Sequence, residues 1–262
     1  MVGVMALLTA LSLPAVRTFF SSMATAGNTR SLISAALSSA RAIAAKEQRY
    51  AGIRFQKDIY GHQYIIFIVY DFDKTGLENG FRAVEGIQPI RLSDDVGIMD
   101  LMIVERIYVG IILRLTDKVI DKDTMISSQR DLTDATSFSI IFSPSGKLVM
   151  HEVQVRNRDG IPDSTGELNK NSYDDVFNKK VRVDTGLAMF YQDDYFDASW
   201  SPYAGSDFGL GPELSRNSFI IYDKTEFNKI DINKRWTNCL AQLAQKRIYI
   251  SPYTGTIVNS GQ

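Results

Sequence analysis

The stretch that decides the interpretation of the fold is the N-terminal run Met1-Val-Gly-Val-Met-Ala-Leu-Leu-Thr-Ala-Leu-Ser-Leu-Pro-Ala-Val16. Thr9 and Ser12 are the only polar side chains in this run, and the first charged side chain is Arg17. As a helix, the run would reach about 24 Å, which is short of the roughly 30 Å hydrocarbon core of a bilayer. The segment therefore suits lipid or a protein core, but it is not a complete transmembrane helix.

An amphipathic pattern follows the apolar run, because apolar residues recur at spacings of three and four across a Ser- and Ala-rich segment. These residues are Phe20, Met23, Ile33, Leu37, Ala40 and Ala44. Pro14 predicts a kink, Gly27 is a weak point, and Gly52 is the predicted stop of a helix of about fifty residues. The predicted fold class is therefore α+β. A long N-terminal helix, kinked near Pro14, packs on an antiparallel β-sheet-rich head, with residues 1–52 as the helix and residues 53–262 as the head.

The head is predicted from short runs rich in Ile, Val, Phe and Tyr, which clusters of Gly, Pro, Asp and Asn separate. The clearest strands are predicted at residues 64–70, 138–142, 147–155, 218–222 and 247–250. Ser143-Pro-Ser-Gly146 places Pro and Gly where a type I turn favours them and predicts a hairpin. Residues 98–115 fit two strands or a buried helix, and we favour strands. Residues 156–180 and 191–213 are predicted as long surface loops.

The composition argues against several classes of protein. Lys and Arg number 29 and Asp and Glu number 30, so the formal charge of -1 gives no reason to expect nucleic acid as a partner. The single cysteine, Cys239, excludes an intrachain disulfide. His62 and His151 fit no catalytic triad or zinc spacing, and the sequence contains no nucleophile elbow, Walker loop or zinc-protease motif. The chain is therefore predicted not to be an enzyme, and no cofactor is required.

One metal site is a candidate. The first half of a calcium loop carries carboxylates and a hydroxyl at alternate positions around a turn glycine, and here these are Asp71, Asp73, Thr75 and Glu78 around Gly76. Arg82 replaces the glutamate that would close the loop. The alternative is a solvated turn after the strand at residues 64–70. A looser acidic cluster comprises Asp159, Asp163 and Glu167.

Two further segments are candidate sites. The glycine-rich residues 205–211 neither follow a strand nor open a helix, so they are interpreted as a turn rather than a phosphate cradle. The aromatic group consists of Tyr191, Tyr195, Phe196, Trp200, Tyr203 and Phe208. It suits packing of the loop onto the head, with a sugar or a neighbouring subunit as the alternative.

The N-terminal run and Ser34-Ala-Ala-Leu-Ser-Ser-Ala-Arg-Ala-Ile-Ala-Ala-Lys46 together resemble the N-terminal helix of type IV pilins and type II secretion pseudopilins. Pro14 matches the kinking proline of that family. Phe142-Ser-Pro-Ser-Gly-Lys147 is similar to a hairpin of H-type pilin heads, and Tyr249-Ile-Ser-Pro-Tyr-Thr-Gly255 resembles the ending of large pilin-like proteins. The processing motif and early glutamate of the family would lie upstream of Met1. About eight more residues would extend the apolar helix to roughly 36 Å, enough to span a bilayer, so we expect that the sequence is truncated and that the true N-terminus lies upstream of Met1.

The resemblance implies a structural subunit of an extracellular type IV pilus-like or pseudopilus filament. Such a subunit enters the inner membrane first, is processed by a prepilin peptidase, and polymerises with copies of itself and other pilin-like subunits through its N-terminal helix. The residues implied in filament-core packing are Val4, Leu8, Leu11, Pro14, Phe20, Met23, Ile33 and Leu37. The alternative is a secreted or membrane-anchored binding or enzymatic domain with residues 1–26 as signal or anchor, because Ala24-Thr-Ala26 offers a small-x-small cleavage site.

Overall fold

The structure is a computed structural model that describes residues 29–57, 61–75, 78–84, 86–109, 112–126, 129–155 and 213–259. The predicted kink at Pro14 and the loop predicted at residues 156–180 lie outside these ranges, as does all but Glu213 of the loop predicted at residues 191–213.

In the described part of the chain, the first helix is the longest. The helices are α1 (Thr29–Glu47), α2 (Phe72–Thr75), α3 (Gln129–Thr136), α4 (Lys224–Lys229) and α5 (Ala241–Ala244). A π-helical turn at Trp236–Leu240 leads into α5, and 3-10 turns lie at Asp123–Met125 and Ile232–Lys234. Helix α1 has 19 residues, and α3, with 8, is the next longest of these segments.

Helix α1 buries one side in the core. Its buried residues, all at most 3% exposed, are Leu32, Ile33, Ala36, Leu37, Ala40 and Ala44. The one-sided pattern predicted from the sequence is therefore confirmed for this part of the chain. The helix ends at Glu47, because Gln48 adopts a φ of 53°, in the left-handed region that commonly terminates helices.

The predicted stop at Gly52 is wrong. Gly52 lies inside a strand, Ala51–Lys57, and a Cβ atom at this position would collide with the carbonyl oxygen of Ile140 on the neighbouring strand. Glycine is needed here for close approach of two backbones, so its presence signals packing and not the end of a helix.

The described residues are mostly β-structure. In chain order the strands are β1 (Ala51–Lys57), β2 (Gln63–Tyr70), β3 (Gly80–Ala83), β4 (Ile90–Arg91), β5 (Val96–Met99), β6 (Met102–Val109), β7 (Ile112–Val119), β8 (Phe138–Phe142), β9 (Leu148–Val149), β10 (Glu152–Val155), β11 (Glu213–Leu214), β12 (Ser218–Asp223), β13 (Ile248–Ile250) and β14 (Ile257–Asn259).

Eight of these strands form one curled sheet with the order β11-β10-β3-β2-β1-β8-β9, in which β4 also pairs with β2. Strands β9 and β10 are five strand spacings apart in this order, or about 24 Å across a flat sheet. The chain joins them through Met150 and His151 alone, which span at most about 11 Å. The sheet must therefore curl, and it forms roughly half a barrel.

Both faces of the curled sheet are covered. Helix α1 packs on the outer face, against residues that include Ile53, Phe55, Phe67, Phe138 and Ile140. The inner face encloses a second apolar cluster, which consists of Ile66, Ile68, Phe81, Ala83, Ile141, Val153 and Val155.

A second sheet has the order β14-β13-β12-β5, and β6 and β7 form a separate two-stranded hairpin. The apolar core beside the second sheet includes Met99, Leu101, Ile220, Tyr222 and Phe227. The side chain of Gln63 joins this sheet to the first. The Gln63 amide nitrogen donates to the carbonyl oxygens of Ile98 and Thr136 at 2.8 and 2.9 Å, and its oxygen accepts from the Ile98 N–H at 2.8 Å.

The predicted fold class is wrong. The described chain is mostly β-sheet curled into half a barrel, and it does not show a long N-terminal helix packed on a sheet. The sheet is also mixed, because β10 and β3 run parallel. The physical reason lies in strands such as β2, where six of eight residues are buried. Apolar residues on both faces require cover on both faces, and curling supplies it for the inner one.

Most of the predicted strands are confirmed. Strands lie at residues 63–70, 138–142, 218–223 and 248–250, and residues 98–99, 102–109 and 112–115 belong to β5, β6 and β7 rather than to a helix. The segment predicted as one strand at residues 147–155 is divided into β9 and β10. The predicted turn is confirmed: the Gly146 N–H donates to the Ser143 carbonyl oxygen at 2.8 Å, and Gly146 has a φ of 74°.

Candidate functional site

A buried ionic cluster lies at the inner face of the curled sheet. Arg54 on β1 is 2% exposed, and its Nη1 atom donates to Oε1 of Glu213 at 2.5 Å and to Oγ of Ser139 at 3.1 Å. The Nε atom of Arg54 donates to Oε1 of Gln56 at 2.8 Å, and Ser139 Oγ also donates to Glu213. Each charge is matched by a partner inside the protein, so this cluster is suited to fixing strand positions rather than to acid–base chemistry.

A second ionic cluster is organised by Arg216, just before β12. Its Nε donates to Oδ2 of Asp100 at 2.6 Å, while its two terminal nitrogens donate to the two carboxylate oxygens of Asp117 at 2.6 and 2.9 Å. Burial raises the pKa of Asp100 to about 7, although the Arg216 guanidinium favours the charged form. This cluster attaches the β6–β7 hairpin to the second sheet.

The stability of the fold is expected to fall as the pH rises from about 4 to about 7, and Asp100 causes this fall. The folded state keeps a proton on Asp100 up to a pKa of about 7, whereas the unfolded chain loses it near about pH 4. Thermal unfolding measured at several pH values across this range gives the slope of stability against pH, and Asp100→Asn should make that slope shallower. Asp94→Asn is the control, because the hydrogen bond from Arg91 lowers the pKa of Asp94 out of this range. An unchanged slope in Asp100→Asn would contradict the assignment.

A cationic corner lies where β1 ends. Burial, together with the charges of Lys224 and Arg235, lowers the pKa of Lys57 to about 8. The ammonium of Lys224 donates to the Gly61 carbonyl oxygen at 2.6 Å, and the Arg235 guanidinium lies 4.8 Å from the centre of the Phe227 ring. Among the described residues, the charges that lower the pKa of Lys57 are positive, so more of its amine is uncharged and nucleophilic at neutral pH.

A pocket of about 300 Å³ opens where helix α1 passes into the curled sheet. It is lined by Gln48, Arg49, Tyr50, Tyr70, Phe72, Asp73 and Pro144. The left-handed conformation of Gln48, which costs roughly 1 kcal/mol in a residue with a side chain, turns the chain at its edge. The Tyr70 N–H donates to the Tyr50 carbonyl oxygen at 2.8 Å and holds the two tyrosines side by side.

The residues proposed as calcium ligands are distributed differently from a calcium loop. Asp71 is 4% exposed, and its carboxylate accepts from Nε of Arg82 at 2.7 Å and lies 3.5 Å from Nη1 of Arg49. Asp73 and Glu78 are exposed, and Thr75 ends helix α2. No group of three or more His, Cys, Asp and Glu side chains that would suit a metal ion occurs in the described part of the chain. Two guanidinium groups therefore pair with the Asp71 carboxylate.

The residues implied in filament-core packing fall into two groups. Ile33 and Leu37 are 0% exposed and belong to the core of this chain itself. Those outside the described residues are Val4, Leu8, Leu11, Pro14, Phe20 and Met23. Within the described ranges, helices that combine the length and hydropathy needed to cross a membrane are absent.

Among the described candidates, His62, His151 and Cys239 lie in no catalytic arrangement with other described residues. The His151 ring packs against Tyr50 and Phe81, with centroids 4.3 and 5.6 Å apart, and His62 lies 3.8 Å from Asp94. Burial raises the pKa of the Cys239 thiol, which makes it less reactive. The cluster of Asp159, Asp163 and Glu167, the aromatic group at residues 191–208 and the glycine-rich residues 205–211 lie outside the described ranges.

Several polar residues are buried in the interior although the sequence does not predict it. Arg54, Gln63 and Arg216 are all less than 10% exposed, and none was singled out. One signal was present for Arg54, because Ala51-Gly-Ile-Arg-Phe-Gln-Lys57 alternates apolar and other residues as a strand does. Alternation predicts the strand, but it places Arg54 on a face that would ordinarily be exposed to solvent.

The chain was compared with family models, curated proteins and solved structures, and nothing in any of the three matches it.

Proposed function

We propose that the chain is a non-enzymatic structural subunit of a type IV pilus-like filament at the cell surface, assembled through its apolar N-terminal segment. The observation that supports this most strongly is the position of helix α1. It follows residues 1–16 closely in sequence, and its Ile33, Leu37 and Ala40 are 0% exposed in the core of the head. A pull on the N-terminal segment is thereby transmitted to the core of the curled sheet.

The proposal assigns assembly and folding to different residues. The side chains of Ile33 and Leu37 are buried within a single chain, so they stabilise the head and are not available for contacts between subunits. The contacts between subunits are assigned to the apolar run that contains Val4, Leu8 and Leu11. This division does not require a continuous helix from Met1 onwards. The partners proposed are further copies of the chain and other pilin-like subunits, after insertion in the inner membrane and processing by a prepilin peptidase.

Leu8→Asp is expected to abolish incorporation into filaments while leaving the head folded. A carboxylate in an apolar environment costs about 3 kcal/mol even in a membrane helix, and each copy along a filament would bear that cost. The measurement is the amount of the chain in filaments sheared from the cell surface, by immunoblot and electron microscopy, with the folded fraction of the cell-bound chain measured by resistance to protease.

Two variants control this experiment. Leu214→Asp places the same charge at a residue that is 47% exposed and should assemble normally, whereas Leu37→Asp should fail to fold and become sensitive to protease. Filaments that contain Leu8→Asp in wild-type amounts would contradict the proposal.

The second candidate function is a secreted or membrane-anchored binding domain, and the pocket between Gln48 and Pro144 favours it. In that case residues 1–26 serve as a signal or anchor. Sequencing the N-terminus of the mature protein separates the candidates, because cleavage after Ala26 supports the binding domain and retention of the apolar run supports the filament subunit.

A further inference from the structure

The pocket lined by Gln48, Tyr50, Tyr70 and Phe72 has a rigid aromatic floor and one exposed ring. Tyr50 packs against the His151 ring at 4.3 Å between centroids, and Tyr70 meets the edge of Phe81 at 5.8 Å. Phe72, by contrast, is 53% exposed and lies on the short helix α2. The pocket therefore offers preorganised ring faces at little cost in side-chain entropy.

The edge of the pocket is polar and electrically balanced. Arg49 contributes a guanidinium that lies 3.5 Å from Asp71, and Asp73 contributes an exposed carboxylate. The side chain of Gln48 is fixed by donation from Nε2 to the Ala45 carbonyl oxygen at 2.6 Å. One positive and one negative charge leave the edge neutral, so it provides hydrogen-bond donors and acceptors for a neutral ligand.

We propose that this pocket binds one neutral pyranose unit of a glycan. A pyranose ring has C–H faces that stack on aromatic rings and equatorial hydroxyl groups that both donate and accept, which matches the floor and the edge together. The volume of about 300 Å³ is at the small end of ligand sites and suits one six-membered ring with its substituents. An aromatic or proline side chain of a peptide would fill the floor but leave Arg49 and Asp73 without new partners, which costs affinity.

This inference goes beyond the proposed function and does not depend on it, because either a filament subunit or an anchored domain can present a glycan site. It also changes the role of the segment considered for calcium. Phe72 and Asp73 line the pocket, while Asp71 does not line it but holds Arg49 through their ion pair.

Saturation-transfer NMR on the full-length chain, in a detergent without a sugar headgroup, tests the proposal. The probes are the methyl glycosides of glucose, galactose, mannose and N-acetylglucosamine, each at about 10 mM, because a ligand of about a dozen non-hydrogen atoms is expected to bind with a Kd of about 1 mM. At least one glycoside should receive saturation. Titration of that glycoside should show that Phe72→Ala raises its Kd about fivefold, since the variant removes an aromatic contact of the usual strength.

Tyr253→Ala is the matched control, because Tyr253 is an aromatic residue that is 73% exposed outside the pocket, and it should leave the signal unchanged. Asp73→Asn provides a second variant at an exposed position, and it should weaken binding while the thermal stability stays the same. N-acetylphenylalanine amide is the peptide-like probe. The proposal is overturned if no glycoside receives saturation, if Phe72→Ala and Tyr253→Ala behave alike, or if only the peptide-like probe binds. Filament assembly is scored separately with Leu8→Asp, so the two proposals fail independently.

Discussion

Replacing Gln63 with leucine is expected to lower the free energy of unfolding by about 3 kcal/mol, because it leaves buried backbone groups without partners. Gln63 is 3% exposed, and its amide both donates to and accepts from the backbone of Ile98, as a neighbouring strand would. Leucine has a similar volume but removes all of these bonds, including the one to Thr136. Urea denaturation followed by circular dichroism measures the change.

Gln154→Leu is the matched control for this prediction. It makes the same chemical change on β10, at a half-buried side chain away from the junction of the two sheets, and should alter stability by less than about 1 kcal/mol. Equal losses in the two variants would mean that the Gln63 amide does not join the sheets.

Arg54→Leu is expected to destabilise the fold by about 3–5 kcal/mol, because it leaves the Glu213 carboxylate buried without its guanidinium. Both side chains of the pair are at most 5% exposed. Glu213→Leu should have a comparable effect for the converse reason. The double variant Arg54→Leu/Glu213→Leu should recover at least half of the loss, since removing both charges removes the desolvation cost as well.

The control for the ion pair is Lys229–Glu226, in which both side chains are more than 60% exposed. Lys229→Leu should change stability by less than about 1 kcal/mol, because water screens an exposed pair. Additive losses in the double variant at Arg54 and Glu213 would contradict the assignment of a coupled buried pair. Denaturation curves of the four variants and the wild type decide this.

Much of the secondary structure was accessible from the sequence because it depends on near neighbours. The Ser143–Gly146 turn was predicted from Pro144 and Gly146, and the buried side of α1 from the spacing of Ile33, Leu37 and Ala40. The end of α1 was misplaced because Gly52 was interpreted as a stop, whereas Gln48 supplies the left-handed residue. Glutamine is an unusual choice for that conformation, so no sequence pattern points to it.

The fold class was predicted incorrectly for a different reason. The sequence identifies strands, but whether a sheet stays flat or curls depends on how its edges are brought together. Here the short link through Met150 and His151 forces β9 and β10 to approach each other. Residues 147–155 were predicted as one strand, and only the separate pairing of β10 with β3 shows that the strand is interrupted at Met150 and His151.

The sequence by itself determined the apolar N-terminal run, the one-sided helix α1 and the positions of most strands, because each is encoded by spacings of a few residues. The tertiary structure alone decided which polar residues are buried together. Arg54 meets Glu213 across 159 positions, and Gln63 meets Ile98 across 35. Only the folded sheets bring these groups within hydrogen-bond distance, because a periodic pattern specifies which face of a strand a side chain occupies but not its partner. The same holds for the pocket, where Gln48, Phe72 and Pro144 come from three separate segments of the chain.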